Sequence, residues 1–276
     1  MDIAYYIENL PKSLVLPRTC FELERLIKEP SSTVGAFADV IAIDASLASK
    51  LLKLANSALY GRRMPITTID QAVKLIGFNQ IHELALTDLA SSAFKQLASR
   101  NIDIERFWQM SVFRGLCSKH LAQFLKLPQI ERHFVCGLTK DLGELLVYRI
   151  TPELAMGCQE RHSTGLLPWH AQQEILGFSY AQLTAQLLKG WQLPPQIIIP
   201  IAHVNQAHDI EINNDIKVLY IASRLAVCQI SQAPFTYEAV LDEAMCQELN
   251  LSIIDVRYIA ACAYEEMAHI ISILKG

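Results

Sequence analysis

Asp44-Ala45-Ser46-Leu47-Ala48-Ser49-Lys50-Leu51-Leu52-Lys53-Leu54-Ala55-Asn56-Ser57-Ala58-Leu59-Tyr60-Gly61 reads as one amphipathic helix, and its period recurs along almost the whole chain. Asp44 is placed to cap the N-terminus, and Gly61 to end the run in a backbone conformation that side chains resist. Leu47, Leu51 and Leu54 fall in register with Ala48, Ala55 and Ala58 beside them, a thin face suited to close packing. The next helix opens on Thr68-Ile69-Asp70-Gln71, a capping-box pattern. Ile69, Ala72, Val73 and Ile76 follow at helical spacing, and Gly77 stops the run.

Outward from this segment, a helix is expected from Asn79 to about Leu97. Ser99-Arg100-Asn101 and Asp103 then read as a connection and a new cap. Further helices are expected at about 104–126, 128–140, 143–150, 152–162, 168–176, 180–190, 195–208, 215–231, 236–248 and 252–274. Pro128, Pro152, Pro168 and Pro195 lie near helix starts, where a missing N–H costs little. Strand patterns are nearly absent. The expected fold is all-α, a multi-helix bundle of two closely packed helical lobes, residues 1–100 and 101–276.

With 276 residues, 51% of them hydrophobic, the chain can bury a large core. Its most apolar helices are interrupted by Lys50, Lys53, Asp88 and Arg224, so no membrane partner is expected. The opening MDIAYYIENLPKS lacks the pattern of a secretory leader, which points to a cytoplasmic chain. A net charge of −4 gives no general attraction to nucleic-acid phosphates, and Arg62-Arg63 reads as a solvated loop. The seven cysteines include no C-x-x-C pair and read as small hydrophobes on helix faces.

The eight histidines show no H-E-x-x-H. His82-Glu83 lacks a second histidine, and neither His162/His170 nor His203/His208 has ligand spacing on one helical face. They read as capping or surface residues. Phosphate-loop, dinucleotide and nucleophile-elbow motifs are also missing, so no catalytic residue and no cofactor is assigned. Asn56, Ser57, Tyr60 and Gly61 form a polar turn that could serve an interaction. The residues favour the other reading, in which Asn56 fixes the turn by side-chain hydrogen bonds to backbone groups.

Three ordered segments resemble the HDOD family, the HD-related output domain of bacterial signalling proteins. They are LPKSLVLPRTCFELERLI, IDASLASKLLKLANSALYG and ITTIDQAVKLIGFNQIHELAL; the resemblance continues through FWQMSVFRGLCSKHLA, CGLTKDLGELLV, ILGFSYAQLTAQLLKGWQLPPQIIIPIAHV and IASRLAV. Ala45 stands where the family usually has proline. The larger HD superfamily of phosphohydrolases holds a divalent metal with a His, a His-Asp dyad and a later Asp. By this resemblance Met110, Lys140 and Ser223 replace ligands and Asp141 alone survives. Tyr180 replaces another histidine, and only His203 remains of a later pair.

One carboxylate is not a metal site, because activating water for hydrolysis takes about three protein ligands and an open position. An ammonium repels a cation, and a thioether suits only soft ions. Lys140 is expected to pair with Asp141 or a neighbouring carboxylate. The resemblance therefore implies a non-catalytic regulatory protein that binds other signalling proteins. One alternative is a metal-dependent phosphohydrolase recruiting His120, His133 or His203 to Asp141. Another is a sensor holding a nucleotide or other small anionic ligand between the lobes near Lys140.

Overall fold

The computed structural model describes residues 1–10, 18–57, 60, 65–82, 84–85, 102–191, 193–206, 213–231 and 235–275. Among them the secondary structure is helical, with no strand. The chain divides into two compact units, Met1–Leu14 with Phe94–Ala268, and Val15–Ala93 with His269–Gly276.

In the smaller unit the helices are α2 (Arg18–Lys28), α3 (Val34–Ala42), α4 (Ala45–Ala55) and α5 (Ile69–Ile76). Leu47, Leu51 and Ala55 make the buried edge of α4, and Ala72, Val73 and Ile76 that of α5. Phe37 stacks flat on Phe78, with ring centroids 4.0 Å apart. Asp44 caps α4 as its position suggests, Oδ1 accepting from the Leu47 N–H at 3.1 Å.

Helix α4 ends at Ala55, six residues before Gly61. Asn56 explains the early stop. Its Nδ2 donates to the Leu52 and Ile66 carbonyls at 2.8 Å each, and its Oδ1 accepts from the Ile66 N–H at 2.7 Å. Helix α5 starts at its expected cap, with the Gln71 N–H donating to Thr68 Oγ1 at 3.3 Å. The Gln71 amide returns not to Thr68 but to the Thr67 N–H, at 3.4 Å, so the box is displaced by one residue. Thr68→Ala is expected to cost about 1 kcal/mol in chemical denaturation, the usual cost of a lost N-cap.

The larger unit contains α1 (Ile3–Glu8), α6 (Ile104–Phe124), α7 (Ile130–Thr139), α8 (Leu142–Ile150), α9 (Pro152–Ser163), α10 (Pro168–Leu176), α11 (Tyr180–Gly190), α12 (Pro195–His203), α13 (Asn214–Ile230), α14 (Tyr237–Val240), α15 (Glu243–Glu248) and most of α16 (Ile253–Lys275). Residues 1–10 do not sit with a lobe over 1–100: α1 packs against α8 and α11 of the larger unit. Tyr6 anchors it, fully buried, with its hydroxyl 2.7 Å from Thr151 Oγ1 and its ring edge-on to Phe178. The expected lobe boundary at residue 100 lies outside the described residues.

Every residue of α6 from Ser111 to Ser118 is buried, as befits a central helix covered by α7 and α13. Glycines set its closest crossing. A Cβ on Gly137 would lie 2.7 Å from the Arg114 carbonyl oxygen and from Gly115 Cα. The helix expected over 236–248 is two short ones, because Asp242 caps a new start, its Oδ1 accepting from the Ala244 and Met245 N–H groups.

Candidate functional site

Asp103, Arg106, Phe107, Met110, Ser111 and Arg114 recur every three or four residues and so share one face of α6. That face lines a cavity of about 120 Å³ lying wholly within the larger unit. Met110 from α6, Lys140 from the end of α7, Asp141 from the start of α8 and Ser223 from α13 all line it. The four positions that the resemblance singles out thus surround one space.

A residue that the sequence reading did not single out dominates the centre. Arg114, 2% exposed, donates from Nε to the Gly137 carbonyl at 2.7 Å and from Nη1 to Asp141 Oδ2 at 2.6 Å. Lys140 Nζ donates to the other carboxylate oxygen at 2.7 Å, as expected from its place beside Asp141. Burial pushes the Asp141 carboxyl up, but Arg114 and then Lys140 outweigh it and hold the group below its usual range. Burial also pulls the Lys140 ammonium down, an effect that Asp141 opposes.

Asp141 occupies the N-cap position of α8 yet makes no capping bond. Its carboxylate is taken by the two cations, and Thr184 supplies the acceptor instead: the Gly143 N–H donates to Thr184 Oγ1 at 2.8 Å. That reach from α11 is short because Gly143 lies against it, where a Cβ would sit 2.6 Å from the Tyr180 carbonyl oxygen.

Glu144, one turn into α8, is half-buried in the cavity wall. Burial and the Asp141 carboxylate push it up to about 7 against the pull of Arg106, Arg114 and Lys140. The folded protein therefore holds a proton on Glu144 that the unfolded chain releases near pH 4.3. Stability is expected to fall as pH rises from about 4.5 to about 7, by up to about 3 kcal/mol. In urea titrations Glu144→Gln should flatten that slope; an unchanged slope would place the proton elsewhere.

The donor set does not fit a divalent metal. Met110 offers a thioether, the Ser223 hydroxyl donates to the Leu219 carbonyl at 2.7 Å, and Asp141 is already bound by two cations. Among the described residues no three His, Cys, Asp or Glu side chains are grouped to hold an ion. Nor do His120, His133 and His203 line the cavity; they lie beside Glu266, Asp215 and Gln206 respectively.

Two histidines are buried, contrary to the surface reading. His133 is 2% exposed, and His162 spans from the Leu166 carbonyl to Ser231 Oγ while stacking on Phe235. In the smaller unit, Asn56 ties its turn together as described, Ser57 Oγ is buried, and the Tyr60 hydroxyl donates to Gln80 Oε1 at 3.0 Å. Gly61 lies outside the described residues.

The larger unit is all helical among its described residues and carries a charged cavity beside its central helix. The HDOD domain model matches residues 14–207, so the chain belongs to the HDOD family. An uncharacterised protein of Treponema pallidum (strain Nichols) is 28% identical over 210 residues, 75% of this chain and 40% of that protein. The chain therefore spans about two fifths of that relative's length.

Among solved structures, an HDOD domain protein of unknown function from Geobacter sulfurreducens superposes with a TM-score of 0.77 at 18% identity, covering 99% of this chain and 95% of that one. A Marinobacter aquaeolei VT8 protein named for signal transduction gives 0.78 at 20%, covering 100% and 62%. A Shewanella amazonensis SB2B protein named as a phosphohydrolase gives 0.68 at 22%, covering 99% and 95%. At these identities the likeness shows the fold. No helix among the described residues is long and apolar enough to cross a membrane.

Proposed function

We propose that this HDOD chain is a non-catalytic regulatory module of bacterial signal transduction that acts by binding another signalling protein in the cytoplasm. The observation that carries the reading is the Arg114–Asp141–Lys140 bridge. A carboxylate that would help bind a metal in a hydrolase is held instead between two side-chain cations. A third ion at Asp141 would face both at contact range, where like charges repel strongly in a poorly solvated site. The name of the Marinobacter relative is consistent with a signalling role.

Purified protein supplied with magnesium or manganese is expected to show no chelator-sensitive hydrolysis of generic phosphate esters. Turnover that survives repurification and disappears with EDTA would overturn the non-catalytic half. Affinity capture from the source organism, followed by reconstitution from purified components, is expected to give a stoichiometric complex. Failure of every captured candidate to reconstitute counts against the protein-binding half.

A further inference from the structure

Two polar atoms in the cavity wall have no hydrogen-bond partner among the described residues: Ser111 Oγ and Arg114 Nη2. Both residues are almost completely buried, at 0% and 2% exposure. A buried donor left unmatched is costly, and more so when it is charged. They lie three residues apart on α6, so they face the same space. A guanidinium N–H can only donate, and the hydroxyl is able to, so what satisfies both must be an acceptor.

The surrounding charge selects the acceptor further. Arg106, Arg114 and Lys140 face Asp141 and Glu144 around the cavity, three cations against two carboxylates. Asp103 is exposed at the rim, where water screens it. The remaining wall is largely apolar and aromatic, with Phe107, Tyr148, Pro168 and Trp169. Arg224, 4.5 Å from the centroid of the Trp169 ring, packs on that ring. A space of about 120 Å³ is enough for an oxyanion head and a short body or ring.

We infer that this cavity is a binding site for a small oxyanion-bearing molecule, its head on Arg114 Nη2, Ser111 Oγ and the Arg106 guanidinium, and its apolar body against Phe107 and Trp169. The site is independent of the protein-binding reading and stands or falls separately.

Calorimetric titration with sulfate, benzoate and benzenesulfonate tests it, with the cation benzamidine as the control for ring binding alone. Saturable binding of at least one oxyanion and none of benzamidine is expected. Ser111→Ala and Arg106→Gln should each weaken it about tenfold or more, the effect of losing a hydrogen bond to a charged group. Arg257→Gln, at an exposed ion pair with Glu238, should leave it unchanged. Should Arg106→Gln fail to fold, Arg106→Lys is expected to fold and retain part of the affinity. No saturable binding of any of the three oxyanions overturns the inference. So does affinity that neither cavity variant alters, or benzamidine binding as tightly as benzoate.

Discussion

Asp141→Ala is expected to destabilise the protein by about 3–5 kcal/mol, the cost of removing one partner from a buried ion pair. The loss exceeds what the pair itself contributes. Arg114 and Lys140, 2% and 5% exposed, would be left as neighbouring buried cations without their shared carboxylate. Acid provides a second check. Because the cations depress the Asp141 value, its contribution is fully present above about pH 4, the unfolded value, and is lost as pH falls through the folded one. The wild-type midpoint in urea should drop over that interval, and the Asp141→Ala midpoint should drop less. A cost below about 1 kcal/mol would mean that the bridge is solvated, as exposed pairs are.

Gly137→Ala is expected to cost about 3 kcal/mol or more, at the upper end for overpacking. The added methyl would meet the Arg114 carbonyl oxygen and Gly115 Cα at 2.7 Å, and both are main-chain atoms that cannot swing aside. Separating α6 from α7 would also lengthen the Arg114 Nε bond to the Gly137 carbonyl, now 2.7 Å. Gly157→Ala is the control, since the nearest atom to its Cβ would be Ile175 Cγ2 at 3.8 Å. There helix propensity should dominate and the substitution should stabilise by up to about 1 kcal/mol. Thermal or urea midpoints moving in opposite directions for the two variants would confirm that backbone approach, not glycine content, is what matters.

Much of the helical order is legible because its signals are local. Pro152, Pro168 and Pro195 stand at the first position of their helices, and Asp44, Thr68 and Asp103 cap theirs. The end of α4 is not legible, since Asn56 stops it through Ile66, ten residues further on. The break at Asp242 has no glycine or proline to announce it.

Around the cavity, the family resemblance alone singles out Met110, Lys140, Asp141 and Ser223, which line one space, but Arg114 meets Asp141 across 27 residues and no local pattern reveals the pair. The available signal was a lone charge inside the apolar run Val112-Phe113-Arg114-Gly115-Leu116. Arg114 also bears on whether the resemblance's missing ligands, put back, would make a metal site. Met110→His, Lys140→His and Ser223→Asp together leave the guanidinium 2.6 Å from Asp141, so metal binding calls for replacing Arg114 as well.

The bridge at Asp141 has a consequence for how this region comes into being. A carboxylate balanced by a bound ion is ordered only while that ion is supplied, and its order then varies with ion concentration and chelators. Here both counter-charges belong to the polypeptide, Arg114 already translated when Lys140 and Asp141 emerge from the ribosome. The charge balance at the junction of α7 and α8 therefore does not depend on metal supply, and dilution cannot strip it away.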